Sequence, residues 1–586
     1  MIGLALKHLY LLRPDVPWYG AYLVFVHFLA TVALLLALPR ARQPLERTVV
    51  ALLVFCLVVL PGLIEIQFTR TSFLAAQSGI LLYVSGLSED ATVRGRGRVV
   101  FAMTLIVVGF LIRWRASVAA GVLSLPILWF AIRAIEPREL FVAIRKPVLF
   151  FGVAATLCLA LGLVDRIADA EDAPWSQFRH RIGFMRAVID NDRVQYTDTT
   201  KPHFDAVGWS ENDFEIVKGW FGFLDRDVFS DEQLEYLQAN VVQGTRIFNF
   251  RRWPEFAGYL TSHPLMWALV LVALWRVLAL PADRWTLAMM SSTYGLVLCS
   301  AWFLFSDMHL PPRAYYPMFC IPVGAVMIQP HADARRSFND AKTVVSIRSC
   351  LLVVLFAIVA VYLQGSVQTN KRRFASHLET KQILSALPVS PDQLFVVWGG
   401  SLPYQDIVTP LGDIRWLDDL RILAAGWPTL TPFTTNRLNE FQITSTYQAI
   451  YTHPNVYLVA DDDRFERYAR FVCEHFGKAV AYDVWNQPLS IYQVTEVPLS
   501  SAATEPRIHV RWAASVSDGE RRTHEVDLGL ERPVRNNRNT WRYSMRDTSN
   551  TTVGRLLASP AVEDTHGIDR ATGTVLGATD ANPCVR

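Results

Sequence analysis

Cysteine is scarce in this chain, with seven residues among 586. Only Cys473 and Cys584 fall in stretches polar enough to be soluble, so these regions could hold one disulfide at most. The other cysteines lie in long apolar runs and are predicted to be small core residues. They are Cys56, Cys158, Cys299, Cys320 and Cys350. The sequence therefore does not predict a fold held together by a disulfide framework.

An excess of charge and the common catalytic motifs are also absent. The 56 basic and 53 acidic residues leave a net charge of +3, and no basic stripe indicates a nucleic-acid partner. The chain has no P-loop, no GxGxxG, no GxSxG and no HExxH motif. The sequence thus indicates no nucleotide-binding fold, serine hydrolase or zinc protease. It identifies no metal site and leaves any cofactor unknown.

Long apolar runs are abundant, with 52% hydrophobic residues and a mean hydropathy of +0.23. They are concentrated in two regions and are about 20 residues long, enough to cross a hydrocarbon core of roughly 30 Å. We predict a mainly α, polytopic transmembrane helical bundle of about ten spans in a lipid bilayer. The predicted spans are 18–38, 48–66, 71–88, 99–114, 117–134, 147–165, 263–280, 285–305, 313–330 and 348–365.

Basic residues follow every odd-numbered predicted span, for example Arg42 after the first and Arg96 after the third. By the positive-inside rule, these short loops are cytoplasmic. Residues 166–262 and 366–586 would then lie outside a bacterial inner membrane. The spans and loops together predict seven segments. These are an interfacial segment (1–17), a bundle half of six spans (18–165), an outer helical loop subdomain (166–262), a bundle half of four spans (263–365), a linker (366–390), a small outer α/β domain (391–495) and a mostly disordered tail (496–586).

The opening segment, residues 1–17, has apolar residues on one helical face, which is typical of a helix lying at the membrane interface. Trp18 and Tyr19 would anchor the next span at the headgroup level. Because this segment starts outside by the same count, the expected plan has one more span before it. The alternative is that Met1 is the genuine start and the segment lies on the membrane.

Charged residues at the predicted outer ends of the spans are candidates for phosphate binding. Glu65 ends the second span and Arg70 follows it, and they would either bind a lipid phosphate or form a buried pair that joins two helices. Arg313 opens the ninth span with His309 nearby, and its guanidinium fork suits the oxygens of a phosphate. The alternative for Arg313 is a side chain that snorkels to the interface.

The long outer loop supplies the candidate carboxylates. Asp190, Asp192 and Asp213 are the candidate catalytic bases, and Trp209 could stack on a sugar face. Ser210 and Asp213 also have the spacing of a capping box. The alternative is therefore a capped amphipathic helix with a solvated acidic face.

Several strings resemble a family of large bacterial membrane proteins whose architecture is similar to the C-type membrane glycosyltransferases (the GT-C fold). The strings are LKHLYLLRPDVPWYGAYLVFVHFLA, IQFTRTSFLAAQSGILLY, VGWSENDFEIVKGWFGFLDRDVF, AAGWPTLTPFTTNRLNEFQITS, NVYLVADDD and FVCEHFG. The resemblance covers about residues 1–495. It implies a polyprenyl-phosphate sugar donor, a glycan or lipid-linked acceptor in the cell envelope, and a phosphate-gripping arginine. It also implies an Asn-Asp-Asp motif in an outer loop upstream of these strings, which this sequence does not contain.

The leading hypothesis is a membrane glycosyltransferase that works at the outer face of the inner membrane. With the acidic motif missing, such an enzyme would be inactive as given or would take its base from the carboxylates named above. The alternatives are a membrane glycan polymerase or ligase, a non-catalytic membrane subunit, and a transporter. The middles of the spans are free of charge and the polar residues gather towards one face, which favours surface chemistry over transport.

Overall fold

The computed structural model describes most of the chain. The described residues are 2–38, 44–87, 93–135, 140–170, 173–185, 194–221, 228–241, 250–279, 284–307, 312–327, 342–386, 390–402, 411, 421–426, 429, 431–486, 491–497, 507–515, 521–530, 534–535, 541–542 and 545–547.

Helices account for most of this structure. Those of the membrane part and its N-terminus are α1 (Ile2–Leu12), α2 (Trp18–Ala37), α3 (Pro44–Val54), the π-helical Phe55–Val59, α4 (Leu60–Ile64), α5 (Phe68–Gly86), α6 (Val93–Leu123), α7 (Leu125–Ile135), α8 (Leu140–Ala170), α13 (Trp253–Ser262), α14 (Pro264–Ala279), α15 (Arg284–Asp307), α16 (Pro312–Met327) and α17 (Lys342–Ala386). Those outside it are α9 (Ala173–Met185), α10 (Lys201–Ala206), α11 (Glu211–Lys218), α12 (Asp231–Asn240), α18 (Pro432–Glu440), α19 (Thr446–Thr452) and α20 (Asp462–Phe476).

Six of the described helices are long and apolar enough to cross a membrane. They are Trp18–Ala37, Arg47–Ile64, Gly95–Arg133, Ile144–Ile167, Thr286–Ser306 and Ser349–Gln382. The pair α13 and α14 makes a seventh if the two helices, bent by 77° at their junction, form one span. Large apolar side chains such as Leu159 (71% exposed) and Val353 (69%) point away from the bundle. Such a surface fits lipid better than water, so this is a multi-pass membrane protein.

The structure has a helix at each of the ten predicted spans, but several differ from a simple crossing. Spans four and five belong to one 39-residue apolar stretch, Gly95–Arg133, with non-helical backbone at Arg113. Helices α5 and α16 are not among the six, and both are almost entirely buried. The polar residues that lower the hydropathy of α5 face other helices, because Gln77 Nε2 donates to the Cys320 carbonyl at 3.1 Å. Polar side chains in membrane helices commonly form such interhelical hydrogen bonds.

Small residues let α5 and α6 approach closely. A Cβ added at Gly109 would lie 2.7 Å from the Ser72 carbonyl oxygen, and one added at Gly79 would lie 2.6 Å from the Ala102 carbonyl oxygen. The Ser72 hydroxyl donates across the same contact to the Gly109 carbonyl at 2.7 Å. Close backbone approach and interhelical hydrogen bonds are the usual means of helix association in lipid.

Helix α17 is 45 residues long and continues past the predicted tenth span. In place of the linker predicted at 366–390, it runs without a break to Ala386. Residues 366–386 contain neither glycine nor proline and are rich in good helix formers, which explains the continuation. Helix α17 leaves the bundle at one end and continues into the non-membrane part. We call this end of the bundle the globular end.

A mixed five-stranded sheet organises the non-membrane part. The strands are β1 (Leu394–Trp398), β2 (Ile422–Ala425), β3 (Val456–Val459), β4 (Ala479–Asn486) and β5 (Ile491–Val497), in the order β2-β1-β3-β5-β4. β1 pairs in parallel with β2 and β3, whereas β5 pairs antiparallel with β3 and β4. The sheet and its helices fall in the segment predicted as a small α/β domain, and β4 and β5 form an antiparallel hairpin. Helix α20 has Asp461 as its N-cap and the left-handed Gly477 as its C-cap, as its sequence predicts.

The loop between α8 and α13 packs on this sheet. Phe204, Trp209, Phe221 and Phe229 share one hydrophobic core with β1, β3 and α20. We call the residues of this core, from 173–241 and 390–497, the globular domain. The two segments, predicted as separate units, thus bury their apolar faces against each other.

Cys473 is disulfide-bonded, and Cys584 lies outside the described residues.

The C-terminal tail contains strands where disorder was predicted. They are β6 (Arg507–Ser515), β7 (Arg521–Leu530), β8 (Val534–Arg535), β9 (Trp541–Arg542) and β10 (Met545–Asp547). β6 and β7 form an antiparallel ladder with β10 at its edge. The alternation of Ile508, Val510 and Trp512 with polar residues explains this correction, because it has the period of a strand. Residues 548–586 lie outside the described part.

Gly109→Ala tests the close contact of α5 and α6. The added methyl group has to displace the Ser72 backbone, so we expect a loss of about 1–3 kcal/mol in unfolding free energy. Gly121→Ala, in the same helix, is the control because nothing lies within 4 Å of its added Cβ. Thermal unfolding in detergent measures both variants. Equal stability of the two variants would contradict the contact.

Candidate functional site

A charged cluster joins the globular end of the bundle to α17. Glu65 follows α4, Arg70 lies in the first turn of α5, and Arg373 lies on α17. Glu65 accepts from both guanidinium groups, with Arg70 Nη2 at 2.7 Å from Oε2 and Arg373 Nη1 at 3.1 Å from Oε1. Asn370 Nδ2 donates to the Ile64 carbonyl oxygen at 2.8 Å beside them. We call Glu65, Arg70, Asn370 and Arg373 the arginine cluster.

The two arginines of the cluster differ in exposure. Arg70 is only 8% exposed, its guanidinium carbon lies 5.0 Å from the Tyr316 ring centroid, and its buried Nε has no hydrogen-bond partner among the described residues. The side chain of Arg373 is 53% exposed. One carboxylate therefore faces two permanent cations, and the cluster carries a net positive charge with unused N–H donors.

The π-helical turn beside the cluster explains how the neighbouring helices are held. Such a turn leaves carbonyl oxygens without their usual helical partners. The Tyr316 hydroxyl donates to the Leu57 and Val58 carbonyls at 2.7 and 3.1 Å, and His27 Nε2 lies 3.3 Å from the Val59 carbonyl. Tyr316 is thus a buried residue that connects α16 to this turn.

The cluster borders two cavities of different character. A cavity of about 10 Å³ lies between Arg70, His27, Gln77 and Tyr316, and this is about the space that one water needs. A groove of about 430 Å³ lies along α17. It is lined by Ile64, Val367, Asn370, Lys371, Phe374, Ala375 and Leu378. The groove thus offers apolar walls next to the polar and cationic groups of α17.

Arg313 lies near the same end of the bundle. It is exposed in the first turn of α16, and no described acidic residue forms an ion pair with it. Two residues further on, the Tyr315 hydroxyl is hydrogen-bonded to His263 Nε2 at 2.6 Å and interacts electrostatically with Arg70 and Glu65. The structure therefore brings the start of α16 close to the arginine cluster. Predicted residue His309 lies outside the described residues.

The predicted acidic and aromatic residues of the long loop are not part of this cluster. Asp190 and Asp192 lie outside the described residues. Trp209 is 2% exposed and packs edge-on against Phe229 at 5.0 Å. Its ring lies inside the globular domain and presents no face to a sugar, because the apolar faces of the loop and the sheet close over it.

Asp213 has the structural role that its spacing indicates. Its Oδ2 accepts from the Ser210 backbone N–H at 2.8 Å, and the Ser210 hydroxyl accepts from the Asp213 N–H at 3.2 Å. This confirms the capping box. Asp213 is fully buried and also contacts His475 Nε2 at 2.8 Å through Oδ1. It is not placed as a solvent-facing base.

Sequence reasoning missed Arg373 and Asn370 because both fall in the predicted linker. Glu65 and Arg373 are separated by 308 positions in the chain, so no local pattern connects them. A signal does exist in the run Lys371-Arg372-Arg373. It follows an even-numbered predicted span, where the positive-inside rule expects few basic residues. A Glu65–Arg70 pair was one of the two interpretations predicted, and the pair is present, with Arg70 buried and Glu65 partly exposed.

Comparison of the chain with protein-family models, with curated proteins and with solved structures finds no match.

Glu65→Ala tests the electrostatic balance of the cluster. It leaves the buried Arg70 without a counter-ion, so we expect unfolding free energy to fall by about 1–3 kcal/mol, reduced by the partial exposure of Glu65. Glu379→Ala, an exposed acidic residue of α17, is the control. Thermal unfolding in detergent compares the two. If both variants are as stable as the parent, the pair does not hold α4, α5 and α17 together.

Proposed function

We propose that this protein is a membrane glycosyltransferase that transfers a sugar from a polyprenyl-phosphate donor to a cell-envelope glycan or lipid-linked acceptor. The observation that carries the proposal is the arginine cluster, in which Arg70 and Arg373 converge on one carboxylate at the globular end. Charged groups at the end of a membrane bundle are costly to bury and are usually functional.

The chemistry of a phosphate leaving group matches this cluster. A guanidinium has five N–H donors in a planar fork, and each arginine gives only part of its fork to Glu65. The phosphate of a lipid-linked donor could take the remaining donors of Arg373 and approach Arg70 from the same side. Its apolar chain would lie along the groove beside Phe374 and Leu378. Cationic groups in this position stabilise the negative charge that develops on the leaving phosphate.

We place the globular domain on the outer face of a bacterial inner membrane and count about ten spans. The basic residues after the odd-numbered spans support this orientation. Helices α5 and α16 would be the spans that are too polar or too short to qualify by hydropathy alone, since both are buried among the other helices. The acceptor would meet the donor where α17 leaves the bundle.

The proton acceptor of such a transfer has to be a carboxylate near the phosphate. Among the described residues, Glu65 is held by two arginines and Asp213 is buried in a capping box. We therefore assign binding of the donor phosphate to the arginine cluster and assign no described residue as the base.

The experiment uses the purified chain in nanodiscs with undecaprenyl phosphate as the binding probe. We expect Arg373→Ala to weaken binding about tenfold, which is the value of one charge-assisted hydrogen bond. Arg70→Lys keeps the charge but loses the fork and should weaken binding similarly. Arg372→Ala, the exposed neighbour of Arg373, is the matched control and should stay within about twofold of the parent.

Transfer is measured with the same proteins, using undecaprenyl phosphate that carries a radiolabelled hexose and a cell-envelope extract as acceptor. We expect the parent chain and Arg372→Ala to move label into glycan and Arg373→Ala to lose this activity. Binding that is equal in all variants, or the absence of any binding, would refute the proposal.

A further inference from the structure

Asp213, Glu474 and His475 form a cluster of side chains that the proposed transfer does not use. One ligand atom from each lies within 4.8 Å of the others. Asp213 comes from α11, whereas Glu474 and His475 lie in the last turn of α20. The cluster therefore bridges the two chain segments that build the globular domain, at residues 261 or more positions apart in the sequence.

Ser210 orients both carboxylates. Its backbone N–H donates to Asp213 Oδ2 at 2.8 Å, and its hydroxyl donates to Glu474 Oε2 at 2.8 Å. The other oxygen of the Asp213 carboxylate, Oδ1, lies 2.8 Å from His475 Nε2. The His475 ring is fixed by packing on Phe471, with centroids 4.5 Å apart. Second-sphere groups that fix ligand orientation in this way are a regular feature of metal sites.

Negative charge accumulates at this place. Burial and the carboxylates of Asp205, Glu211, Asp213 and Glu474 all raise the pKa of Tyr196, which packs nearby. A cation would relieve the repulsion between the two carboxylates.

We propose that Asp213, Glu474 and His475 bind a divalent transition-metal ion of the Zn²⁺ or Mn²⁺ class, and that this ion links α11 to α20. The mixed set of two carboxylates and one imidazole favours such an ion over Ca²⁺ or Mg²⁺, which take oxygen ligands. Metal–ligand bonds of about 2.0–2.2 Å place neighbouring donor atoms roughly 3–3.5 Å apart, so the 2.8 Å Asp213–His475 contact needs little change. The widest pair, within 4.8 Å, closes by a small rotation of the half-exposed Glu474.

The ion acts on the stability of the globular domain, independently of the transfer activity. It takes the place of the contact between Asp213 Oδ1 and His475 Nε2. Three protein ligands leave further positions for water. Because the unfolded chain separates α11 from α20, the ion binds the folded state preferentially and raises the unfolding temperature.

The test uses the full chain, purified with a tag free of histidine, stripped with EDTA and dialysed. ZnCl₂ or MnCl₂ is then added, bound metal is counted by elemental mass spectrometry, and unfolding is followed by calorimetry. We expect about one ion per chain and an upward shift of several degrees, as for a ligand well above its Kd. His475→Gln and Glu474→Gln should bind at least tenfold more weakly and lose the shift.

His453→Gln and Glu466→Gln are the controls, since both residues are exposed on the same domain and lie outside the cluster. Calorimetry in EDTA shows whether each variant folds before metal is added. Conservative Gln variants keep a hydrogen-bonding side chain, so folding is expected. Binding that is absent from the parent, or that is equal in the cluster variants and the controls, would overturn the proposal. The cluster would then be a hydrogen-bonded contact between two helices.

Discussion

The carboxylate of Glu65, held between Arg70 and Arg373, is the interaction on which the globular end of this protein depends. It joins the second predicted span, which contains the π-helical turn, to α5 and to the long helix α17. Arg70 is nearly buried, so removing its counter-ion would leave a cation in a poorly solvating environment. The cluster also fixes where α17 leaves the bundle, and thereby where the globular domain begins.

Packing contacts in the membrane part and in the globular domain hold the helices and segments that meet at this cluster. In the membrane part, close backbone contacts at Gly79 and Gly109 bring α5 against α6, and Tyr316 caps the carbonyls of the π-helical turn. In the globular domain, the loop before α13 and the C-terminal sheet share one core. The domain is therefore built from two segments that enter from different helices of the bundle.

Local signals in the sequence predict much of the fold. Ser210 with Asp213, and Asp461 with Gly477, mark helix ends that the structure reproduces, because capping depends on residues only a few positions apart. Apolar runs locate the membrane helices for the same reason. Sequence reasoning missed the continuation of α17 beyond residue 365 and the strands of the tail. Both segments are polar in composition. This composition favoured a linker and a disordered tail over the weaker signals of helix propensity and short apolar–polar alternation.

The candidate site was less predictable because it is made of tertiary contacts. Glu65 and Arg70 were identified from their position, but their partner Arg373 lies 308 residues away from Glu65. The ligand set of Asp213, Glu474 and His475 is likewise assembled by folding. Trp209 was predicted to be a site residue and is not one. An aromatic residue beside acidic residues is typical of a sugar site in sequence, but this ring lies in the hydrophobic core of the structure.

An electron cryo-microscopy map of the chain in nanodiscs with undecaprenyl phosphate tests the central claim most directly. The account predicts density for a phosphate within about 3 Å of the guanidinium groups of Arg70 and Arg373, a charge-assisted hydrogen-bond distance, with the prenyl chain along the α17 groove. A phosphate bound elsewhere, with Glu65 as the only partner of both arginines, would contradict it.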